Sequence, residues 1–278
     1  MTDEPDLYLS YSGRKCYLTC PKKYQYNYVK HTPVDSDPRS SFFGSMIGKV
    51  FEWFYEKKLW AAPDQVATTL DHIEPAITEV LKEEDWDEFS DPNLIHEIRQ
   101  ELRDLIPKVI DVIRERGLVT LYSCAERKLD ITKSKNGLSV ILGGRADFIH
   151  GSDLRDIWII DGKGSKYREK YVDSDQLVWY ATLYYLRYRI APTRIGFLFY
   201  RFPEDPIVWV NLDENAMRSL INKTFEIAEK IKAGVFPATP SGECKLCDYK
   251  DICEEGSEHL ISIRPKKEFI LDDSIEYV

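Results

Sequence analysis

Between residues 143 and 166 the chain reads GGRADFIHGSDLRDIWIIDGKGSK. Asp147 stands in one apolar run, Asp161 ends the next, and Lys163 follows two residues later. Residues i and i+2 of a strand share a face, so Asp161 and Lys163 project together. The short connection between the runs allows Asp147 to come beside Asp161 on that face. Two converging carboxylates suit a hard, oxygen-seeking cation such as Mg²⁺. A cation there lowers the pKa of a bound water and offsets charge on a phosphate. A lysine beside it positions that water or stabilises developing negative charge. Phosphodiester hydrolysis needs those parts. An Asp-x-Lys by itself is as readily a solvated pair at a hairpin. The apolar run ending abruptly in Asp-Gly-Lys-Gly, with a carboxylate in the preceding strand, sets this segment apart.

The second constellation is made of thiols. FPATPSGECKLCDYKDIC, 236–253, contains Cys244, Cys247 and Cys253 as Cys-x2-Cys-x5-Cys. Three cysteines in so short a span signal a metal site, and a structural site wants four ligands. Cys20, in YLTCPKKYQY, is the best fourth candidate, with Cys16 one helical turn before it as the alternative. Cys124 falls in a strand-like run and reads as a buried free thiol. A disulfide framework does not fit a cytosolic chain of this size. The ligand chemistry by itself admits zinc or a [4Fe–4S] cluster.

These residues need elements to position them. The chain has 278 residues, 43% hydrophobic and 13% aromatic, enough to bury a sizeable core. No apolar run approaches membrane-span length. The start, MTDEPDLYLS, lacks the basic and apolar regions of a signal peptide, which places the protein in the cytoplasm, or in the cytosol of an infected host cell. The net charge of −9 argues against a protein that coats DNA, but not against a local basic groove beside a carboxylate site. Residues 8–30 predict a short helix with Ser12 as its cap. Residues 42–59 predict a helix with an aromatic face. Residues 92–117 predict a long amphipathic helix, kinked or divided at Pro107 and stopped by Gly117. Strands follow at 119–131, 138–149 and 156–162, then a helix at 174–190, strands at 195–202 and 207–212, and a helix at 213–234 ended by Gly234. A cysteine loop occupies 240–256, and 263–278 form a mixed tail ending in acidic residues. The order predicts an α/β core with a central mixed sheet flanked by helices, a helical N-terminal extension and a C-terminal cysteine loop. The segments expected are 1–118, a helical region that lends one cysteine, 119–235, the core, and 236–278, the cysteine loop and tail.

With those residues in hand, the chain resembles a known family. GRADFI…WIIDGKGSK is similar to motifs II and III of the PD-(D/E)XK nucleases, in the branch like the RecB nuclease domain. QLVWYATLY, 176–184, resembles that branch's Gln-x-x-x-Tyr motif. The resemblance implies a restriction-endonuclease-like core, with Asp147 and Asp161 as ligands of Mg²⁺ or Mn²⁺ and Lys163 as the catalytic lysine. It implies that Gln176 and Tyr180 line the site. FFGSMIGKVFEWFYE resembles the branch's Gly-x-x-x-His segment, with Gly44 as its glycine, but Gly48 stands where the histidine would be. Glu52, one turn further, is the candidate to reach the metal directly or through water. Glu126 resembles an acidic residue often seen in the first strand; a cross-strand pair with a basic residue is its plainer reading. A Cys-Pro near the N-terminus, with Phe-Pro-x-x-Pro-Ser and three cysteines near the C-terminus, is similar to the iron–sulfur nucleases, among them the CRISPR-associated RecB-like exonucleases and the AddB nuclease domain. That resemblance implies a structural [4Fe–4S] cluster on Cys20, Cys244, Cys247 and Cys253.

Two basic clusters could meet phosphates. Arg14, Lys15, Lys22, Lys23 and Lys30 interleave with Tyr17, Tyr24, Tyr26 and Tyr28, tyrosines that read as core. Lys166 and Arg168 adjoin the carboxylate site and are the expected DNA contacts. The reading that follows is a metal-dependent DNA exonuclease acting on single strands or ends, in recombination, repair, viral DNA processing or CRISPR adaptation. A helicase or a recombination or adaptation protein is its expected partner, with no membrane involved. The alternative is a catalytically inactive iron–sulfur protein on the same fold, binding DNA or a helicase.

Overall fold

The computed structural model describes residues 5–34, 38–86, 88, 91–120, 123–151, 153, 155–172 and 174–263. The chain divides into two compact units, one made of residues 1–14 and 37–233, the other of 15–36 and 234–278.

Among the described residues the first unit carries two sheets. Strands β2 (Cys124–Lys128), β5 (Arg145–Gly151), β6 (Ile157–Lys163), β7 (Arg194–Phe199) and β8 (Ile207–Val210) form a five-stranded mixed sheet in the order β2-β5-β6-β7-β8. Within this sheet β6 and β7 pair parallel and the other described neighbours antiparallel. Parallel neighbours need a crossover, and α7 (Glu169–Val172) and α8 (Gln176–Tyr188) supply it. A three-stranded sheet, β1 (Leu7–Ser10), β4 (Leu138–Gly143) and β3 (Ile131–Lys135), stands apart in the order β1-β4-β3.

The mixed α/β core matches expectation, but the single central sheet is corrected to two. The run 138–149 is not one strand. It breaks at Gly143–Gly144, where the chain leaves one sheet and enters the other. A Cβ at Gly144 would lie 3.0 Å from Tyr180 and 3.2 Å from the Trp179 indole nitrogen, so α8 packs directly on this junction. Trp179 Nε1 donates to Gly143 O at 3.1 Å. The run 119–131 likewise stops at Lys128. The β3–β4 turn is Asn136-Gly137, both at positive φ, as a tight hairpin requires.

The N-terminal expectation also changes. Residues 7–10 are strand β1, because Leu9 is buried beside β4. Helix α1 (Tyr11–Thr19) begins afterwards, and its first turn is capped by Ser10, whose Oγ accepts the Gly13 N–H at 3.1 Å, not by Ser12.

One face of the larger sheet packs on helices. α3 (Phe42–Glu56) buries Phe42, Phe43, Met46, Ile47, Val50, Phe51, Trp53, Phe54 and Tyr55. Together with α4 (Gln65–Leu70), α5 (Ile73–Glu83) and α6 (Pro92–Glu115) it builds a core that includes Phe148, Ile160, Leu198 and Tyr200 of the strands and the residue after them. α4 and α5 carry no motif and were not anticipated. α6 runs unbroken through Pro107. An interior proline costs about 3 kcal/mol, and here Ile106, Val109 and Ile110 are buried around it, which outweighs that cost. α9 (Glu214–Lys232) begins at Asp213, whose carboxylate accepts the Asn215 N–H, and the chain turns at Gly234 with φ +72°.

The second unit contains α2 (Pro21–Tyr24), a π-helical turn at Gln25–Val29, a 3₁₀ turn at Gly242–Leu246 and α10 (Glu254–Ser262). Its aromatic residues cluster, with Tyr17, Tyr24 and Tyr249 buried but Tyr28 exposed, against the expectation that it is core: Tyr24 stacks on Tyr28 at 4.9 Å, Tyr26 on Tyr249 at 5.2 Å, and Tyr17 donates to Val235 O. The cysteine segment is thus largely helical and turn-rich rather than a plain loop. The expected tail lies, from residue 264 on, outside the described residues. Among the described residues no helix is long and apolar enough to cross a membrane.

Candidate functional site

β5 and β6 pair antiparallel, with Phe148 opposite Ile160 and Ile149 opposite Ile159. The next step beyond the last pair brings Asp147 to Asp161. Asp147 Oδ2 accepts the Gly162 N–H at 2.9 Å, which fixes its carboxylate on β6. Asp161 is 1% exposed. Its Oδ1 accepts Gln176 Nε2 at 3.0 Å, and Gln176 Nε2 also lies 3.3 Å from Tyr180 Oη. Gln176 opens α8, where the Ser174 Oγ accepts its N–H at 3.2 Å. The first residues of α8 therefore meet the end of β6 at one point.

Lys163 ion-pairs with Asp161 Oδ2 and lies over the rings of Tyr171 and Phe197, at 5.1 and 5.7 Å. Burial works to lower the Lys163 pKa, but Asp161 and Asp147 outweigh it and hold the ammonium protonated. Burial pushes Asp147 well above the ordinary carboxylate range, and the Asp161 charge adds to the rise while Lys163 opposes it. Burial also raises Asp161, again against Lys163. One lysine thus faces two buried carboxylates, a site short of positive charge. Asp161 Oδ2 is taken up by the Lys163 ammonium. A hard cation would supply the missing positive charge, and oxygen ligands of this kind suit it.

Five of the proposed residues, Asp147, Asp161, Lys163, Gln176 and Tyr180, thus converge. Glu52 does not join them by any direct bond. Its Oε2 is 3.0 Å from Lys49 Nζ, which also pairs with Glu83 at 3.0 Å and Glu79 at 3.6 Å. Gly48 faces open space, with nothing within 4 Å of a Cβ placed there. Arg168 is engaged by Asp205 at 3.0 Å and sits over Phe199 and Phe202, each at 5.2 Å. Nothing in the described contacts pairs Lys166 with the site.

Four supporting features carry no motif. The Tyr200 hydroxyl occupies the place of a Gly162 side chain: a Cβ there would lie 2.1 Å from it. Gly164 abuts α3, since its Cβ would lie 2.7 Å from Gly44 Cα. Arg201 clamps the same point, donating to Gly164 O while binding both carboxylate oxygens of Glu101 and covering the Phe43 ring at 3.5 Å. Arg14, 3% exposed, reaches Asp175 Oδ2 at 2.7 Å and holds the residue before Gln176. The only hint in the sequence was the glycine spacing GKG after Asp161.

In the second unit Cys20, Cys244, Cys247 and Cys253 line one pocket of about 100 Å³, with Thr19, Lys23, Tyr26 and Gly256. Cys16 does not line it. All six cysteines are free thiols. A Cβ at Gly256 would lie 3.4 Å from Cys253 Sγ and 3.7 Å from Cys244 Sγ, so this glycine leaves the sulfurs room. Among the described residues no three His, Cys, Asp or Glu side chains close on a point fit for a single metal ion. Four thiols around one cavity are a donor set that zinc or an iron–sulfur cluster could use.

A model of the PD-(D/E)XK nuclease superfamily matches residues 8–254. The chain belongs to that superfamily. Membership implies a metal-dependent phosphodiesterase and agrees with the mixed α/β core. The match takes in the β5–β6 carboxylates, the opening of α8 and all four pocket cysteines of this PD-(D/E)XK protein. Among solved structures the chain is similar to one described as "Crystal structure of SSO0001", at 13% identity and a TM-score of 0.42, covering 91% of this chain and 88% of that one. No curated protein matches.

Proposed function

We propose that this superfamily member is a divalent-cation-dependent DNA exonuclease acting on single strands or DNA ends, with Mg²⁺ or Mn²⁺ held by Asp147 and Asp161. The observation that carries the reading is the meeting of Asp147, Asp161 and Lys163 with Gln176 at the ends of β5 and β6 and the start of α8. When bound, the cation supplies Lewis acidity, activating a water and offsetting phosphate charge. The chain's own residues do the rest. Gly162 N–H and Gln176 Nε2 each fix one carboxylate, so the donors are oriented before substrate arrives. Lys163, held protonated, steadies negative charge as the phosphodiester bond opens. Gln176 is a positioning residue that links Asp161 to Tyr180. Lys166 and Arg168 follow β6 and are proposed as DNA contacts, with Arg168 exchanging Asp205 for a phosphate.

Cys20, Cys244, Cys247 and Cys253 would hold a [4Fe–4S] cluster as a structural group of the second unit, supported by their common pocket. Recombination, repair, viral DNA processing or CRISPR adaptation would use such an enzyme, with a helicase or adaptation protein as partner.

The test is cleavage of linear and circular DNA, single- and double-stranded, with Mn²⁺. Asp161→Asn and Lys163→Ala are expected to lose roughly 10²–10³-fold or more in rate while keeping the fold. Full activity in either variant defeats the mechanism, and rapid cutting of circles defeats the exonuclease reading. A wild-type protein that binds DNA but cuts none of these substrates establishes the inactive alternative.

A further inference from the structure

We propose that the cavity bordered by β2, the end of β5 and the last turns of α8 receives an unpaired nucleobase of the strand whose phosphate lies at Asp147 and Asp161. The substrate so assigned is single-stranded DNA, and the assignment rests on the nuclease reading of those two residues.

The cavity measures about 620 Å³ and is lined by Cys124, Arg127, Ile149, Ile157, Tyr184 and Tyr188, among others. Pockets of roughly 300–1,000 Å³ with apolar and aromatic walls and a few polar groups are those that hold small organic ligands. Its place follows from the two elements that build the candidate site. Ile149 lies two residues beyond Asp147 on β5, on the same face and roughly 6–7 Å along the strand. Cys124 of β2 pairs with Ile149. Tyr184 and Tyr188 follow Tyr180 by one and two turns of α8, on one face of that helix. The seam between β5 and α8 that gathers the carboxylates therefore continues into the cavity. A base next to a phosphate bound at the carboxylates reaches it.

The lining suits a base. The Tyr184 and Tyr188 rings lie 4.7 Å apart at 47°, and tyrosine rings stack on unpaired bases of any sequence. Tyr188 Oη accepts Arg127 Nε at 3.2 Å and Nη2 at 3.1 Å. Its own hydrogen is left to donate to an acceptor on a base edge. Positive charge gathers at the same corner of the sheet. Arg127 is exposed, and Lys128 stands opposite Arg145 with side chains 73% and 64% exposed. On a chain of net charge −9 this is a local cationic rim, placed where the phosphates of the strand pass. Aromatic rings beside a cationic track are the footprint of single-strand binding. A paired base is held in its stack and presents no free face, so duplex is excluded until it opens. An apolar side chain of a protein would fill the walls but use neither the Tyr188 hydrogen nor the basic corner.

The test is fluorescence anisotropy of labelled single-stranded oligonucleotides with the full chain, in Ca²⁺ so that the strand stays intact. One series carries a single abasic residue at successive positions. Wild type is expected to lose roughly 5- to 100-fold in affinity when the base at one particular position is missing. Tyr188→Ala should lose about the same factor on the intact strand and nothing further on that abasic one, because the two changes remove one contact. Tyr188→Phe, which keeps the ring, should stay close to wild type. Should Tyr188→Ala fail to fold by its melting curve, Ile190→Trp narrows the cavity from a half-buried lining position and gives the same pattern. No binding of single strands, indifference to base removal at every position, or losses from variant and abasic residue that simply add overturn the proposal. Asp161→Asn should stop cleavage and keep the abasic sensitivity. Sensitivity in a wild type that cuts nothing sinks the nuclease reading and leaves the base pocket, whereas cleavage without sensitivity sinks the pocket alone.

Discussion

Gly164→Ala is expected to destabilise the protein and disable the candidate site, although the residue touches no substrate group. A methyl there would lie 2.7 Å from Gly44 Cα and 3.1 Å from the Phe43 ring. To regain ordinary contact, backbone must move by about 0.7 Å. Neither side yields readily. Gly44 lies in α3, whose neighbours Phe42 and Phe43 are core. On the other side Arg201 holds Gly164 O and is itself fixed by Glu101. Overpacking of this kind costs about 1–3 kcal/mol, which for a chain of this size lowers Tm by roughly 2–12 °C. Lys163 precedes Gly164, and its carbonyl accepts the Tyr200 N–H at 3.1 Å, so the shift passes to the end of β6. Displacements near 1 Å cost about 10²-fold in rate, so cleavage is expected to fall by about ten- to a hundredfold. Gly44→Ala is the control, since its own Cβ would meet nothing within 4 Å. Removing a helical glycine there is expected to leave Tm unchanged or raise it by a few degrees, worth about 0.5–1 kcal/mol. Differential scanning calorimetry and a Mn²⁺-dependent cleavage assay read both effects. A Gly164→Ala protein that melts and cuts like wild type, or a Gly44→Ala protein that falls as far, refutes the close-packed junction.

Asp147→Asn should raise the Tm of metal-free protein near neutral pH. Burial and Asp161 raise the Asp147 pKa, so stability is full below the ordinary value of 3.8 and falls as pH rises through the raised one. Asparagine keeps the acceptor for Gly162 N–H and does not titrate, so its advantage over wild type should vanish near pH 3.8; an advantage of equal size at pH 3 and pH 7 contradicts the charge account. Anaerobically prepared wild-type protein should be brown with broad visible absorption, lost in Cys20→Ser and Cys247→Ser and kept in Cys16→Ser. A colourless wild type that contains zinc rules out the cluster.

The sequence alone determined the parts that follow from short-range rules. Strand alternation put Asp161 and Lys163 on one face, and helical spacing put Gln176 one turn from Tyr180; both pairs meet as local geometry demands. The cysteine spacing, with Cys20 as the distant fourth, named the residues that line one pocket. What the sequence could not supply were relations between segments with no shared period. The break at Gly143–Gly144 depends on where Trp179 and Tyr180 of α8 come to rest, and that is settled by packing, not by the local run. Likewise Leu7–Ser10 is a strand because β4 lies beside it to pair with, although its own residues suit a helix equally well. Glu52 lies one turn from Gly48, and the helical spacing alone did not show that it pairs with Lys49 of its own helix. The Gly44–Gly164 approach and the Arg201–Glu101 clamp arise only where distant segments press together. Local periodicity fixes which residues share a face; the close-packed interior fixes which of those faces meet.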